Sequence, residues 1–224
     1  MRKYFLFIAF ISSAVLLNAQ YKSEVWVADK GDGTYVNPVL HADYSDPDVC
    51  AVDGHYYMTA SSFNCTPGLP ILHSEDLVNW EIINYAIKDV EPFDFFSKPQ
   101  HGKGVWAPSI RHHNGEFYIY WGDPDFGIFM VKTKDIYGEW DKPVLVKAGK
   151  GMIDPCPLWD DDGKVYLAHA WAGSRAKFNS VITVCEMNSE GTAIVSNPVL
   201  AFDGNDGTNH TIEGAKFYKH NGYY

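Results

Sequence analysis

A chain of 224 residues, with 46% apolar and 21% charged residues, is long enough for one domain with a sizeable hydrophobic core. Its formal net charge of −10 disfavours binding to nucleic acid or to an anionic lipid surface, whereas a neutral partner such as a carbohydrate suits that charge. Aromatic residues make up 15% of the chain, a high share that is typical of strand-rich folds and of sugar-binding clefts.

The first residues, MRKYFLFIAFISSAVLLNAQ, have the pattern of an export signal. Arg2 and Lys3 make a positive start, residues 4–17 are mostly apolar but too few to span a bilayer comfortably, and Ala19 offers a cleavage point. We therefore expect residues 1–19 to be a signal peptide, residues 20–224 to form one domain, and the protein to be periplasmic or extracellular. No later run predicts a membrane span.

One pattern then recurs along the chain: an apolar stretch, an Asp-Gly or Asn-Gly pair, and a stretch rich in aromatic and β-branched residues. The pairs are Asp53-Gly54, Asn114-Gly115, Asp162-Gly163 and Asn221-Gly222. Each pair is a turn signal for a β-hairpin, and helical signals are scarce. The repeat therefore predicts an all-β fold made of similar units, as in a β-propeller. The alternative is an irregular β-sandwich in which the turns recur by coincidence.

The number of repeats predicts three complete units and the beginning of a fourth. A propeller has at least four blades and must close into a ring to protect the edges of its sheets. We therefore expect this chain to be the N-terminal part of a larger propeller, truncated at its C-terminal end.

Three carboxylates stand at the start of their units, each beside a proline or a glycine: Asp46 in YSDPDV, Asp154 in GMIDPCPLW and Glu213 in TIEGAKFY. The inner strands of a propeller converge on its axis, so we expect these carboxylates to face one cavity, where they could perform general acid–base catalysis. Taken singly, each has an ordinary explanation. An Asp-Pro pair often opens a turn, and a glutamate before glycine is usually a solvated loop residue.

Other polar residues are predicted to be structural. Asp123 and Asp125 follow a predicted strand and are interpreted as turn residues, and His169 is interpreted as a structural histidine. The four cysteines are scattered without a CxxC pair, which argues against a zinc site and favours buried free thiols over two disulfides. We assign no metal ligand.

Five motifs in order resemble glycoside hydrolase family 43: NPVLHADYSDPDV, SSFNCTPGLPILHSEDLVNW, GVWAPSIRHHNGEFYIYW, MIDPCPLWDDDGKVYL and IEGAKFYKHNGYY. The resemblance covers residues 36–224. It implies a five-bladed β-propeller, of which this chain would supply about three and a half blades. It also implies a β-xylosidase or α-L-arabinofuranosidase that cleaves terminal xylose or arabinofuranose units from plant hemicellulose with inversion. The substrate would be an oligosaccharide or a polysaccharide.

The resemblance also implies roles for five residues. Asp46 matches the general base, Glu213 the general acid, and Asp154 the third carboxylate, which keeps the acid protonated and helps to orient it. Phe63 and Trp106 match aromatic positions that line the sugar pocket, although packing within a blade would explain them nearly as well.

Several alternatives to this assignment stay open. Asp43 and Asp48 flank Asp46 and are rivals for its role, although the family motif places the base directly before Pro47. No cofactor is implied, but a structural cation on the propeller axis can be held in the full-length protein by a histidine beyond this chain. The rival functions are a non-catalytic carbohydrate-binding propeller and an inactive truncated fragment.

A related group of fructan-hydrolysing propellers is disfavoured by the sequences around two of the carboxylates. That group is expected to have Glu-Cys at the acid and Asn-Asp-Pro at the base. This chain has Glu213-Gly214 and Ser45-Asp46-Pro47 instead.

Overall fold

The computed structural model describes residues 25–207, 209 and 211–224, and the predicted signal peptide lies outside them. The described residues form three four-stranded sheets and two helices of four residues each, α1 (Phe93–Phe96) and α2 (Gly173–Ala176). Neither these helices nor any other in the described ranges is long and apolar enough to cross a membrane.

Each sheet is formed by four strands that are consecutive along the chain and antiparallel to one another. Sheet 1 contains β1 (Asp48–Val52), β2 (His55–Thr59), β3 (Gly68–Ser74) and β4 (Glu81–Ile87). Sheet 2 contains β5 (Trp106–His113), β6 (Glu116–Asp123), β7 (Gly127–Thr133) and β8 (Val144–Ala148). Sheet 3 contains β9 (Met152–Trp159), β10 (Val165–Trp171), β11 (Val181–Met187) and β12 (Val199–Asp203). The predicted all-β fold with a repeated unit is confirmed.

The recurring turn signals join the first two strands of each sheet. Both residues of the pair Asp53-Gly54 have positive φ, 51° for Asp53 and 83° for Gly54. The same holds for Asn114-Gly115, with 48° and 78°. Asp, Asn and Gly tolerate such values best. Asn221-Gly222 makes a similar turn, closed by a bridge between His220 and Tyr223. The turn between β9 and β10 is longer and is closed by a hydrogen bond of 2.9 Å from the Asp160 N–H to the Lys164 carbonyl.

Sheet 2 lies between the other two sheets and buries both of its faces. Along β6, Ile119 and Trp121 belong to the core shared with sheet 1, whereas Tyr118 and Tyr120 belong to the core shared with sheet 3. Successive side chains of a strand point to opposite faces, so an almost continuous apolar run fits a strand covered on both sides. The sheets therefore stack in chain order, with their first strands β1, β5 and β9 in contact.

A network of polar contacts joins these first strands to the segment 211–224. Asp48, at the start of β1, is 5% exposed, and its Oδ2 accepts hydrogen bonds from the Ile110 N–H at 2.8 Å and from Arg111 Nη1 at 2.6 Å. The Lys216 ammonium lies 3.2 Å from Asp48 Oδ1, and Arg111 Nη2 lies 2.8 Å from Cys156 Sγ on β9. One buried carboxylate thus connects β1, β5 and the segment 211–224, and Arg111 extends the network to β9.

A close backbone approach sets the position of sheet 3 against sheet 2. A Cβ atom at Gly122 in β6 would stand 2.7 Å from the Ile153 Cα and 2.9 Å from the Met152 oxygen in β9. Such distances are shorter than van der Waals contact, so the packing requires glycine at this position. The contact lies directly beside Asp154, whose backbone nitrogen would be 3.4 Å from the same Cβ.

The remaining expectations about individual residues are mostly confirmed. All four cysteines are free thiols, and Cys156 and Cys185 are buried, but Cys50 is half-buried and Cys65 is exposed, so the expectation of burial is wrong for Cys65. His169 is fully buried, with Nε2 3.0 Å from the Thr183 hydroxyl, as a structural histidine should be.

Replacing Asp48 by alanine should strongly destabilise the protein. Arg111 would keep a largely buried guanidinium without its carboxylate, and breaking a buried pair in this way costs about 3–5 kcal/mol. The free energy of unfolding in urea measures the loss. Asp43→Ala, at an exposed position, is the matched control and should change it by less than about 0.5 kcal/mol. Equal stability of the two variants would contradict the proposed importance of the network.

Gly122→Ala should lower the free energy of unfolding by about 1–3 kcal/mol, because the added methyl group forces β6 and β9 apart. Gly173→Ala is the control, since a Cβ there would meet its nearest neighbour, Asn179 Cβ, at an ordinary 3.4 Å. Urea unfolding of both variants checks the difference, and a Gly122→Ala protein as stable as its control would show that the sheets can separate without cost.

Candidate active site

A cleft of about 530 Å³ opens beside the starts of β1, β5 and β9 and the segment 211–224. All five residues that the sequence singled out line this cleft: Asp46, Phe63, Trp106, Asp154 and Glu213. The structure thus brings together three carboxylates that are separated by 108 and 59 positions along the chain.

The backbone turns in the same way at the start of each unit. Asp46, Ala107 and Asp154 have positive φ values of 50°, 25° and 53°, and each is followed by a proline. In the segment 211–224 the equivalent residue is Gly214, with φ of 71°. Glu213 therefore stands one position earlier in its unit than the two aspartates. Non-glycine residues at such φ values cost on the order of 1–3 kcal/mol each and are concentrated at functional sites.

Asp46 is exposed in the cleft and is held by two hydroxyl groups. Its Oδ2 accepts hydrogen bonds from Ser45 Oγ at 3.0 Å and from Ser61 Oγ at 2.8 Å. Ser61 Oγ in turn accepts the Ala107 N–H at 2.9 Å, which ties the carboxylate to the turn before sheet 2. Both hydroxyls donate to the same oxygen, and these two hydrogen bonds fix the orientation of the carboxylate. The other oxygen, Oδ1, receives no hydrogen bond from the described residues.

Asp154 is 8% exposed and is the buried carboxylate of the three. Burial, and after it the nearby carboxylates of Glu213 and Asp46, raise the pKa of Asp154 to about 6. The Gly214 N–H, which donates to Asp154 Oδ2 at 2.6 Å, and the Lys216 ammonium act in the opposite direction.

Glu213 is exposed and stands directly before the glycine that Asp154 holds. The hydrogen bond between Asp154 and the Gly214 N–H links β9 to the segment 211–224. The position of Glu213 is therefore set through the backbone of its neighbour. Among the described residues no hydrogen bond to its own carboxylate is found, which leaves that group open to the cleft.

The two aromatic residues form one wall of the cleft. Phe63 and Trp106 are half-buried and meet edge to face, with ring centroids 6.4 Å apart. Trp106 Nε1 donates to the Gly102 carbonyl at 3.1 Å, and the Arg175 guanidinium lies 5.3 Å from the Trp106 ring centroid. Arg175 is itself paired with Asp125 at 3.2 Å. The indole ring is thus held by a hydrogen bond and by the Arg175 guanidinium. It also packs against a small apolar cluster of sheet 3, so it contributes to the packing of the fold as well as to the wall of the cleft.

The structure separates Asp46 from the other aspartates considered for its role. Asp48 is buried in its ion pair with Arg111, and Asp43 is exposed and does not line the cleft. Asp123 caps its own turn, since its Oδ1 accepts the Asp125 N–H at 2.9 Å, and burial raises the pKa of Asp123 to about 6. The interpretation of Asp123 and Asp125 as turn residues is confirmed, and Asp125 additionally holds Arg175.

Several residues of the cleft carried no local signal in the sequence. They include Lys216 and residues 172–174, which precede or begin α2. Ser61, which does not line the cleft but holds Asp46, likewise carried no signal. Lys216 stands two positions after Gly214, as Asp48 does after Asp46, so the repeat itself was the signal that could have identified it. Residues 172–174 follow the end of β10 and offer no such repeat.

The family resemblance allows a structural cation in the full-length protein, and the described polar groups where the first strands meet are already engaged with one another. The carboxylate at this point, Asp48, is already paired with Arg111 and lies 3.2 Å from the Lys216 ammonium. Burial raises the pKa of the Cys156 thiol, which disfavours the thiolate that a metal would need.

Comparison with known proteins identifies a matching family model and several similar glycosidases. Residues 35–224 match the family model described as Glycosyl hydrolases family 43. A beta-xylosidase of Formosa agariphila is 33% identical over 204 residues, which cover 87% of this chain and 34% of the relative. A non-reducing end alpha-L-arabinofuranosidase of Bacteroides ovatus is 34% identical over 157 residues, which cover 68% of this chain and 28% of the relative.

Solved structures give the same result. The xylan beta-1,4-xylosidase from Bacillus halodurans is similar with a TM-score of 0.70 and 26% identity, over 83% of this chain and 37% of that one. The chain spans about a third of the length of the curated relatives described above. Because the family model covers residues 35–224, which include every unit of the fold described here, the chain belongs to glycosyl hydrolases family 43.

Proposed function

We propose that this protein is a glycoside hydrolase that removes terminal xylose or arabinofuranose units from plant hemicellulose (xylan, arabinoxylan or arabinan) with inversion of configuration. The observation that carries the proposal is the meeting of Asp46, Asp154 and Glu213 in one cleft of a family 43 chain. Relatives named beta-xylosidase and alpha-L-arabinofuranosidase support the two sugars.

The proposed architecture is a five-bladed propeller. Sheets 1, 2 and 3 are its first three blades, and the segment 211–224 begins the fourth, so this chain supplies about three and a half blades. The consecutive strand order of each sheet and the contacts among β1, β5 and β9 support this arrangement, in which the first strand of each blade lines the axis.

The proposed place of action is outside the cytoplasm. Residues 1–19 serve as a signal peptide, residues 20–224 belong to the propeller domain, and the protein acts in the periplasm or outside the cell. The partner is an oligosaccharide or a polysaccharide. The net charge of −10 gives no support to a nucleic-acid partner or to an anionic membrane surface.

In the proposed mechanism Asp46 is the general base. The hydroxyls of Ser45 and Ser61 hold its Oδ2, so Oδ1 can take a proton from a water molecule. The water oxygen attacks the anomeric carbon from the face opposite the departing group. Inverting glycosidases place base and acid roughly 6.5–9.5 Å apart so that this water fits between the base and the sugar.

Glu213 is the general acid of the same step. As the bond between the anomeric carbon and the glycosidic oxygen breaks, the Glu213 carboxyl gives its proton to that oxygen. The new carbon–oxygen bond comes from water, whose proton has passed to Asp46, and the released sugar has the inverted configuration. Both residues return to their starting protonation states when Asp46 releases its proton to solvent and Glu213 takes up one from solvent. No cofactor takes part.

Asp154 acts on the acid as a positioning residue. Its hydrogen bond to the Gly214 N–H fixes the backbone next to Glu213. Burial, together with repulsion from the Glu213 and Asp46 carboxylates, raises the pKa of Asp154 to about 6.

Phe63 and Trp106 supply the apolar surface for the sugar. A pyranose or furanose ring presents C–H groups on one face, and aromatic rings pack well against such a face. The hydrogen bond from Trp106 Nε1 to the Gly102 carbonyl keeps the indole plane in place before the sugar arrives.

Substitutions of the acid and the base should separate their roles in the full-length protein. Glu213→Ala should slow xylobiose hydrolysis by about 10²–10⁴-fold and slow nitrophenyl glycosides much less, because a good leaving group departs without a proton. Asp46→Asn should slow both substrates by a similar factor, since water must be activated in either case. Initial rates on both substrates provide the measurement, with Asp43→Asn as the unaffected control. Xylobiose hydrolysis at the wild-type rate in Glu213→Ala would refute the acid assignment.

Asp154 should also make stability depend on pH. Its pKa in the folded protein is about 6, above the ordinary 3.8, so its contribution to stability is fully present below pH 3.8 and is lost as pH rises through 6. A difference of about two pKa units corresponds to about 3 kcal/mol. We expect the free energy of unfolding of the wild type to fall by this amount relative to Asp154→Asn between about pH 4 and pH 7.

Urea unfolding at several pH values measures this difference. Asp89 is an exposed aspartate away from the cleft, so Asp89→Asn is the control. The free energy of unfolding of this control should change with pH in the same way as that of the wild type. Parallel curves for the wild type and Asp154→Asn would show that Asp154 is not protonated in this pH range.

A further inference from the structure

Two histidines and a glutamate meet on sheet 1, outside the cleft. His55 begins β2, His73 lies in β3, and Glu75 directly follows β3. The pairing of Tyr56 with Ser74 places His55 opposite Glu75, and residues 73 and 75 point to the same face because side chains alternate along a strand. The three side chains thus share one face of a two-stranded ladder.

Their donor atoms are close enough to share one metal ion. His55 Nδ1 lies 2.9 Å from His73 Nε2 and 3.8 Å from Glu75 Oε1, and all three ligand atoms lie within 4.8 Å of one another. Two imidazole nitrogens, each bound at about 2.0–2.1 Å to a metal ion, stand on the order of 3 Å apart. The two nitrogens of the free protein already have this separation.

A second carboxylate orients one of the histidines. His73 pairs across the β3–β4 ladder with Glu81, and His73 Nδ1 lies 3.3 Å from Glu81 Oε1. A hydrogen on Nδ1 would donate to this carboxylate and leave the Nε2 lone pair facing His55. A carboxylate behind a ligating imidazole is the usual support of a metal-bound histidine. The ring is further held by Tyr57 and Tyr137, at centroid distances of 5.4 Å and 6.4 Å.

The cluster combines one largely buried, fixed ligand with two ligands that are accessible to solvent. The His73 side chain is 12% exposed, whereas those of His55 and Glu75 are 42% and 75% exposed. A metal ion can therefore reach the outer two ligands, while the inner one is already in place. Without metal, the 2.9 Å contact between His55 Nδ1 and His73 Nε2 is a hydrogen bond whose donor depends on the tautomers of the two rings. A metal bound at Nδ1 of a neutral His55 requires the tautomer with its hydrogen on Nε2, so the metal replaces the hydrogen bond with no net release of a proton.

We propose that His55, His73 and Glu75 bind one divalent transition-metal ion of the zinc class, with Glu81 as the group that orients His73. Imidazole nitrogens with one carboxylate suit Zn²⁺ and its neighbours, whereas Ca²⁺ prefers oxygen ligands alone. The ion joins β2 to β3 and stabilises the folded state, because it binds the folded chain and not the separated strands. This site is independent of the glycosidase cleft.

The sequence carried no motif for this site. His55 and His73 are 18 positions apart, and it is the pairing of β2 with β3 that brings them together. The expectation that no residue binds a metal rested on cysteine spacing and on local motifs, neither of which detects ligands that meet across a ladder.

The test is a titration of the untagged full chain with Zn²⁺ alone, followed by calorimetry and by thermal unfolding. We expect one saturable ion per chain and a Tm that rises with zinc concentration, and no rise with Ca²⁺ at the same concentration. His55→Ala and Glu75→Gln change exposed side chains and should lose or weaken both effects. Glu81→Gln should weaken binding by about tenfold or more. His101→Ala, an exposed histidine elsewhere, should behave as the wild type.

Folding and binding are kept apart by a second measurement. The circular dichroism and the zinc-free Tm of His55→Ala should match those of the wild type, so that a lost zinc response reports the site and not unfolding. If the wild type shows no saturable zinc binding, or if His55→Ala and His101→Ala respond to zinc equally, the histidine contact is an ordinary hydrogen bond and the proposal is overturned.

Discussion

The buried carboxylate of Asp48 is the group on which the arrangement of the units depends. A charge removed from water must be paired and hydrogen-bonded, and Asp48 finds its partners in a backbone N–H and a guanidinium of β5 and in the ammonium of Lys216. Three segments of the chain must therefore approach one point. Arg111 extends the contact to Cys156 on β9, so every described unit meets there.

This meeting point also decides where the cleft lies. Asp46 stands two positions before Asp48, and Asp154 stands two positions before Cys156, so the two aspartates occupy equivalent places at the same end of their units. The Gly122 contact adds the close approach of β9 that buries Asp154. Glu213 is offset by one residue and stays exposed. A repeated backbone thus places carboxylates in different environments within one cleft.

Much of the fold could be predicted because its signals are local. An Asp-Gly or Asn-Gly pair accepts positive φ at both positions, so the hairpins at Asp53 and Asn114 followed directly from the residues. The candidate carboxylates could also be found, since each stands at the start of its unit beside a proline or a glycine. The preference for Asp46 over Asp48 rested on the family motif alone, which places the base directly before Pro47, because only two positions separate the two residues and both are acidic. Burial and the pairing with Arg111 distinguish them.

The sequence by itself determined the strands, their turns, the family and the candidate carboxylates, because each of these depends on residues that are neighbours along the chain. The tertiary structure alone decided the burial that raises the pKa of Asp154 to about 6, the hydroxyls on Asp46, and the meeting of His55 with His73 and Glu75. These features depend on strand register and on packing between sheets, which bring together residues that are far apart in the chain.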